Sequence, residues 1–306
     1  MKLTRRDLIK LGAGASVASL SGGWGALMAG ETSIIKATIP STGQQIPCVG
    51  IGTVKFRGGA GSPAMEPLVQ TLEMFHSLGG RVVDTSPNYG DSEAVLGRLL
   101  AKANLRDKVF MATKVDREDQ ADGIERMEGS FKRLGGDIDL MQVHNLRGTD
   151  VELETLQAWK EQGRFRYIGI TTHRVSQHEE MQGFMRKYPL DFIQVNYSLA
   201  DRASADRVLP LAQDRGIAVL VNRPYANGRL FKAVKGVALP GWAADIDAQS
   251  WGQVFLKFII SHPAATIPIP GTTKPHHAED NMGAMKGRMP DAGLRKEMEG
   301  FIDSLV

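Results

Sequence analysis

Residues 109–144 read VFMATKVDREDQADGIERMEGSFKRLGGDIDLMQVH, and this stretch contains the pattern that decides the fold. A short apolar and β-branched run, Val109–Lys114, is followed by Ile124–Leu134, where apolar residues recur at helical spacing. Gly135-Gly136 then ends the helix, because glycine adopts the left-handed C-cap conformation without a Cβ clash. Leu140–His144 is again strand-like. A strand, a helix and a second strand in this order indicate a βαβ unit with parallel strands.

The same alternation continues from Ile34 to near the end of the chain. The predicted barrel strands are Val49–Thr53, Arg81–Thr85, Val109–Lys114, Leu140–His144, Tyr167–Thr171, Phe192–Asn196, Ala218–Asn222 and Thr266–Ile269. The predicted helices between them include Glu66–Leu78, Ser92–Ala103, Ile124–Leu134, Leu153–Gln162, Glu179–Tyr188 and Ala205–Arg215. Eight parallel strands close into a barrel whose interior side chains can fill. The expected fold is therefore α/β, a single (β/α)8 TIM barrel, preceded by an N-terminal β-hairpin of Ile35–Ile39 and Gln45–Pro47.

Residues 223–250 follow the seventh predicted strand and show no clear helical or strand pattern. A long irregular segment in a compact domain is usually functional. In a barrel of this kind it lies at the C-terminal face, where active sites are assembled. Because the segment also carries Tyr225, Leu230, Phe231 and Trp242, we expect an ordered loop rather than a disordered insertion.

The composition of the 306 residues excludes several classes of protein. A hydrophobic content of 42% with 23% charged residues is typical of a globular protein with a sizeable core. The formal net charge is +3, and no basic stripe with interleaved aromatic residues is present, so we expect no nucleic-acid partner. Cys48 is the single cysteine, which excludes an intramolecular disulfide and a cysteine-based zinc site. We expect no metal at His276-His277, because adjacent helical residues do not face each other.

Residues 1–30 differ in character from the rest of the chain. Thr4-Arg5-Arg6-Asp7-Leu8-Ile9-Lys10 resembles a twin-arginine export signal, an address that a receptor reads. Residues 11–30 are uncharged but only weakly apolar, whereas a spanning helix needs about 20 strongly apolar residues, so a permanent membrane anchor is not expected. We expect residues 1–30 to be a signal peptide for the twin-arginine export machinery and residues 31–306 to form the barrel domain. With this signal peptide the expected location of the protein is the periplasm. If residues 1–30 are an ordinary basic tail instead, the expected location is the cytoplasm.

Four side chains of matched chemistry stand at or just beyond the ends of consecutive predicted strands. Asp84 ends the second strand, Tyr89 lies on the loop after it, Lys114 ends the third strand and His144 ends the fourth. These strand ends meet at one rim of a barrel, where catalytic residues lie in this fold. A single polar residue at a strand end is readily explained as a rim or capping residue. Four matched residues together indicate a catalytic site.

These four residues have the chemistry that carbonyl reduction requires. A free tyrosine has a pKa of about 10, and a nearby ammonium such as that of Lys114 lowers this pKa by favouring the phenolate. Asp84 can keep Lys114 protonated and oriented, while His144 can donate a hydrogen bond to the substrate carbonyl. Tyr89 would then give its proton to the oxygen as hydride arrives at the carbon. The hydride must come from a cofactor, since no side chain provides one.

Several segments, in this order and spacing, resemble the aldo/keto reductase family. They are Asp84–Glu93, the strand-ending Lys114, Asp139–His144, Gly163–Ile170, Phe192–Tyr197 and Ile269–Asn281. The resemblance covers Ile35 to Leu305. It implies reversible, nicotinamide-dependent reduction of an aldehyde or ketone, with Tyr89 as the general acid, Lys114 and Asp84 tuning it and His144 orienting the carbonyl.

The resemblance also implies which residues hold the cofactor. They are Thr171, Thr172, Gln194, Asn222, Arg223, Gly271, Thr272, Lys274, His277, Asp280 and Asn281. Thr171-Thr172 replaces the family's Ser-Asn pair at the carboxamide, and Asn222 replaces the aromatic residue that stacks on the nicotinamide. Gly271 and His277 replace the Lys and Arg that bind the 2′-phosphate, although Lys274 offers a point charge, and Asp280 with Asn281 remains on the adenine side. NADPH is the expected cofactor, with NADH as the alternative.

Other functions stay open from the sequence. The departures at Thr172 and Asn222 leave room for a nicotinamide-nucleotide-binding accessory or redox-sensing protein with little turnover. A purely structural barrel has no need of Lys114 beside Tyr89. The expected substrate is a small carbonyl compound. The pocket rim is expected from Val54–Phe56, the loop after His144 and residues 223–250, with a minor contribution from the C-terminal tail.

Overall fold

The computed structural model describes residues 33–59, 62–63, 65–264 and 266–305, and the predicted signal peptide lies outside these residues. The strands are β1 (Lys36–Thr38), β2 (Gln45–Pro47), β3 (Ile51–Gly52), β4 (Val82–Asp84), β5 (Phe110–Val115), β6 (Leu140–Val143), β7 (Tyr167–Thr171), β8 (Phe192–Asn196), β9 (Ala218–Asn222) and β10 (Thr266–Pro268). The α-helices are α1 (Met65–Ser77), α2 (Ser92–Lys102), α3 (Gln120–Leu134), α4 (Thr149–Glu161), α5 (His178–Lys187), α6 (Ser204–Asp214), α7 (Arg229–Ala233), α8 (Trp251–Ile260), α9 (Pro275–Gly283) and α10 (Ala292–Asp303).

Strands β3 to β10 form one parallel sheet in which each strand pairs with the next along the chain. The last strand returns to the first. The Gly50 amide donates to the Pro268 carbonyl at 2.9 Å, and the Gly52 amide donates to the Pro270 carbonyl at 3.2 Å. The sheet is thereby a nearly closed barrel surrounded by helices, which confirms the predicted (β/α)8 TIM barrel. Strands β1 and β2 pair antiparallel, which confirms the N-terminal hairpin.

The hairpin closes the N-terminal end of the barrel. Phe110, Tyr167 and Phe192 are the first residues of three barrel strands, and their ring centroids lie 5.6 to 5.9 Å apart. The Tyr167 hydroxyl donates to Oε1 of Gln44 at 2.7 Å, and Oγ1 of Thr42 lies 2.9 Å from the same hydroxyl. Because this end is filled by aromatic side chains and covered by the hairpin turn, a ligand cavity is left for the C-terminal end.

Three predicted strands, β7, β8 and β9, coincide with the observed bounds, and the other five barrel strands differ at their ends. His144 starts a short 3-10 turn, His144–Leu146, instead of ending β6. Helix α3 begins about one turn earlier than predicted, because the Asp119 side chain accepts hydrogen bonds from the Ala121 and Asp122 amides and so caps the helix.

The segment after β9 is ordered, as the sequence predicts. It contains the short 3-10 turns Ala226–Gly228 and Gly241–Ile246 with α7 between them. The rings of Tyr225 and Phe231 lie 4.8 Å apart between centroids, and both contact the ring of Phe255 in α8, which holds the first part of the segment in place. Among the described residues, no helix is long and apolar enough to cross a membrane.

Candidate active site

A cavity of about 840 Å³ opens at the C-terminal end of the barrel strands. Asp84, Tyr89 and His144 line it, whereas Lys114 is fully buried against Asp84. The structure therefore brings together all four residues that the sequence predicts as catalytic. Their positions follow from the topology, because the carboxyl ends of adjacent parallel strands meet at one rim.

Asp84 and Lys114 form a buried ion pair. Nζ of Lys114 lies 2.9 and 2.7 Å from the two carboxylate oxygens of Asp84 and also donates to the Thr85 carbonyl at 2.7 Å. Nε2 of Gln194 donates to Oδ1 of Asp84 at 2.8 Å, and Nε2 of Gln142 donates to the same oxygen at 3.3 Å. Burial disfavours charge on Lys114, but Asp84 and Tyr89 outweigh it and raise the pKa of Lys114, which keeps the ammonium protonated.

Tyr89 stands between the ammonium and the imidazole. Nζ of Lys114 lies 5.1 Å from the centroid of the Tyr89 ring, and the His144 ring meets it edge-on with centroids 6.0 Å apart. Burial raises the pKa of Tyr89, Lys114 opposes that rise and Asp84 adds to it, so the net pKa lies above its usual value. Lys114 thus lowers the pKa of Tyr89 as the sequence predicts, but removal of the hydroxyl from water outweighs this contribution. Tyr89 keeps its proton at neutral pH, as a general acid must.

His144 is almost fully buried and held by polar neighbours on one side. Oγ of Ser86 lies 3.1 Å from Nδ1 of His144, and the Asn88 amide nitrogen lies 3.2 Å from the same atom. Burial lowers the pKa of His144 to about 3, with smaller contributions in the same direction from Lys114, His173 and Arg126. The imidazole is therefore neutral at physiological pH and can act as a hydrogen-bond donor through one ring nitrogen.

The predicted cofactor residues other than Thr172 separate into two groups. The first lines the cavity and consists of Thr171, Gln194, Asn222, Arg223 and Gly271. Nδ2 of Asn222 donates to the Thr172 carbonyl at 2.9 Å, which holds the Asn222 side chain against the end of β7. Thr172 itself is not part of the cavity wall, because its hydroxyl donates to Oε1 of Gln177 at 2.6 Å.

The second group lies in or just before α9 and outside the cavity wall. Oγ1 of Thr272 accepts from the Lys274 amide at 3.2 Å, and the side chains of Lys274 and His277 are exposed. The Asp280 carboxylate accepts from Ser250 at 2.9 Å and from Gln253 at 3.0 Å, while Oδ1 of Asn281 accepts from the Tyr225 hydroxyl at 2.5 Å. The side chains of Asp280 and Asn281 thus bind neighbouring elements of the barrel.

Two smaller expectations need correction. Val54 and Lys55 line the cavity, but Phe56 is fully buried in the core and does not. The rings of His276 and His277 do contact each other in the first turn of α9, with centroids 4.4 Å apart. In the part of the chain that the structure describes, no group of three or more His, Cys, Asp or Glu side chains could hold a metal ion.

Sequence reasoning missed several polar residues of the site. Gln142 lies two residues before His144. Because alternate residues of a strand point to the same face, this spacing could have predicted that Gln142 faces the same side of the sheet as His144. Asn88 and Ser86 lie inside the Asp84–Tyr89 segment, but the residue that they contact, His144, lies in the 3-10 turn after β6 and is distant in sequence. His173, whose Nδ1 lies 3.0 Å from Oδ1 of Asn145, carried no signal of this kind.

Comparisons with known proteins agree with this geometry. The model of the aldo/keto reductase family matches residues 48–296. Among curated relatives, Aldo-keto reductase YhdN of Bacillus subtilis is 30% identical over 63% of this chain and 62% of its own length. The chain thus spans less than two thirds of that relative. Aldo-keto reductase yakc of Schizosaccharomyces pombe, whose name includes NADP(+), is 26% identical over 83% of this chain and 88% of its own.

A third relative, the NADH-specific methylglyoxal reductase of Escherichia coli, is 24% identical over 86% of this chain and 98% of its own length. Among solved structures, an aldo/keto reductase from Klebsiella pneumoniae in complex with NADP and acetate aligns with a TM-score of 0.75. The alignment has 23% sequence identity and covers 87% of this chain and 95% of that one, so it shows a shared fold.

Proposed function

The chain belongs to the aldo/keto reductase family and is an NAD(P)H-dependent carbonyl oxidoreductase, and on this basis we propose a specific reaction and assign roles to its residues. It reduces a small aldehyde or ketone to the alcohol with NADPH, and NADH is the alternative donor. The single observation that carries the proposal is the buried Asp84–Lys114 pair beside Tyr89 in a cavity that His144 also lines. Names of relatives that include NADP(+) and NADH support this pair of donors.

The residues around the cavity fit a nicotinamide nucleotide. A cavity of about 840 Å³ is within the range of small-molecule sites. The amide nitrogen of Gln194 donates a hydrogen bond to Asp84, and Oε1 of the same side chain can accept a hydrogen bond from a carboxamide. Gly52 and Gly271 both line the cavity, and because neither has a side chain, a ligand can approach the backbone closely there. The N-terminus of α9 with Lys274 suits a phosphate.

The side chains of the cavity supply the proton and the orientation of the substrate. When bound, the cofactor supplies hydride to the carbonyl carbon. His144 donates a hydrogen bond to the carbonyl oxygen, which positions it and stabilises the charge that develops there. Tyr89 transfers its phenolic proton to that oxygen and is left as a phenolate, which the Lys114 ammonium stabilises. Asp84 holds that ammonium in place, and solvent returns the proton to Tyr89 after the alcohol leaves.

A turnover assay with a matched pair of tyrosine variants tests the proposal. The full chain is mixed with NADPH or NADH and a panel of aldehydes, ketones, sugars and quinones, and loss of cofactor absorbance is followed. Tyr89→Phe is expected to lower kcat by about 10²- to 10⁴-fold while NADPH binding is kept. Tyr188→Phe, on the surface beside Asp150, is the control and is expected to keep the parent rate. If Tyr89→Phe turns over at the parent rate, Tyr89 is not the acid.

The same assay distinguishes the reductase from a nucleotide-binding accessory or redox-sensing protein. A chain that binds NADPH but oxidises it with no member of the panel would support that alternative. The intact set of Asp84, Tyr89, Lys114 and His144 favours catalysis, because binding alone does not require a proton donor beside a buried ammonium.

We propose further that residues 1–30 are a twin-arginine signal peptide, that residues 31–306 are the barrel domain and that the protein is periplasmic. The support is the Arg5-Arg6 pair followed by an uncharged, weakly apolar stretch. A reporter fused after residue 30 should be exported, and export should be lost when Arg5 and Arg6 both become lysine. Lys2→Arg is the matched control and should leave export intact. Equal export by the double variant would remove the twin-arginine argument, and no export of the parent fusion would favour the cytoplasm.

A further inference from the structure

Asn88 is held in one orientation by two charged neighbours. Its amide nitrogen donates to Oδ2 of Asp116 at 2.5 Å, and its Oδ1 accepts from the guanidinium of Arg126. A carboxylate can only accept a hydrogen bond and a guanidinium can only donate one. The amide of Asn88 therefore cannot be turned over without the loss of both contacts, although the residue is open to solvent on one side.

This orientation places an N–H donor against the imidazole of His144. The Asn88 amide nitrogen lies 3.2 Å from Nδ1, so Nδ1 must accept and carries no proton. Oγ of Ser86 lies 3.1 Å from the same nitrogen, but a hydroxyl can either donate or accept and does not decide the tautomer. A neutral imidazole has one ring proton, which is then on Nε2.

The other ring nitrogen opens on the cavity. Within the described residues, Nε2 of His144 has no hydrogen-bond partner, and it is not among the buried unpaired side-chain atoms of that part of the chain. Because His144 lines the cavity beside Tyr89, an Nε2–H group there is a donor for a ligand oxygen. The Nδ1–H tautomer would present an acceptor at this place and could not bind a carbonyl oxygen.

We infer that Asn88 is a positioning residue that, held by Asp116 and Arg126, keeps His144 in the Nε2–H tautomer needed to donate to the substrate carbonyl. The role in reduction rests on the proposed function, but the tautomer itself does not. Asn88 acts through His144, so its effect is on which ring nitrogen carries the proton.

The charges around His144 make the tautomer matter. Lys114 from β5, Arg126 from α3 and His173 after β7 face the imidazole, together with the ring of Tyr89 from the loop after β4. Asp116 is separated from it by Asn88. Its carboxylate lies 2.8 Å from Arg117 and 3.4 Å from Arg126, which offset its charge. With a pKa of about 3, His144 does not form an imidazolium at physiological pH, so the hydrogen bond to a ligand oxygen must come from a neutral tautomer.

Long-range proton–nitrogen NMR on the full chain labelled with ¹⁵N-histidine tests the tautomer without any substrate. His144→Gln assigns the signals by their disappearance. The expected pattern at pH 7 is a neutral ring with its proton on Nε2. An Nδ1–H pattern or an imidazolium would overturn the inference, and neither result would bear on whether the protein is a reductase.

Asn88→Asp replaces the donor by a carboxylate, which only accepts when it is ionised, and the guanidinium of Arg126 beside it favours the ionised form. Nδ1 of His144 must then carry a proton, so the neutral ring loses its Nε2–H and kcat at pH 8 should fall by about 10²-fold. The rate should recover in part as the pH is lowered, because the imidazolium carries both protons. The parent should show no such recovery. Ser86→Ala is the control, expected to keep the Nε2–H signal.

Folding of each variant is checked by NADPH binding and circular dichroism. If Asn88→Asp folds and keeps both the parent tautomer and the parent pH profile, Asn88 does not position His144. If Asn88→Asp fails to fold, Asn88→Ala provides the same NMR test. That variant should show a mixture of the two tautomers, and a pure Nε2–H signal would overturn the inference.

Discussion

Lys114→Met should destabilise the protein strongly, because it leaves the Asp84 carboxylate buried without its counter-charge. Both side chains are inaccessible or nearly so, with 0% and 3% of their surfaces exposed. Loss of one partner of a buried ion pair typically costs about 3–5 kcal/mol. The amides of Gln194 and Gln142 still donate to Asp84 in the variant and offset part of this cost, so we expect about 3 kcal/mol.

Urea unfolding followed by tryptophan fluorescence measures this loss. At about 1–3 kcal/mol per molar urea, the midpoint should fall by roughly 1 M or more. Asp84→Asn combined with Lys114→Met removes both charges and should recover about 0.5–3 kcal/mol relative to the single variant. Lys187→Met, which breaks an exposed pair with Asp150, is the control and should change the midpoint little. A loss below about 1 kcal/mol in Lys114→Met, or no recovery in the double variant, would refute the reasoning.

Three further predictions concern stability and cofactor choice. Gly97→Ala should lower the free energy of unfolding by about 1–3 kcal/mol, because the new Cβ would collide with the Arg133 carbonyl oxygen. The control Gly183→Ala places a Cβ that meets nothing within 4 Å, and it should raise the free energy of unfolding by up to about 1 kcal/mol. Equal effects of the two variants in thermal unfolding would contradict this prediction. Burial raises the pKa of Glu152 from 4.5 to about 7, so the folded state retains a proton that the unfolded state releases. Buried histidines such as His144 make the free energy of unfolding rise with pH in the parent and in Glu152→Gln alike, so the two proteins are compared with each other. Relative to Glu152→Gln, the free energy of unfolding of the parent should fall by up to about 3 kcal/mol between pH 5 and pH 8, as urea titrations at both pH values can show. Lys274→Ala should weaken binding of NADPH by up to about fivefold in fluorescence titrations and leave the affinity for NADH unchanged. An equal loss of affinity for both nucleotides would show that Lys274 does not bind the 2′-phosphate.

The sequence by itself determined the architecture and the place of the catalytic residues. The alternation of strand-like and helical periodicity is a local property, and eight such units have few ways to bury their apolar faces other than a barrel. Once the strands are parallel, Asp84, Lys114 and His144 must share a rim, because all three stand within one residue of the carboxyl end of a strand. Their convergence needed no knowledge of side-chain packing.

Only the tertiary structure decided how these residues are tuned. Gln194 donates to Asp84 across 110 positions of sequence, and Asn88 meets His144 across 56. Such contacts depend on the distance between strands and on burial, which no local pattern encodes. The net rise of the Tyr89 pKa has the same origin, since burial by distant segments outweighs the nearby ammonium. The protonation states of the site residues are therefore set by packing, whereas the identity of these residues could be predicted from the sequence.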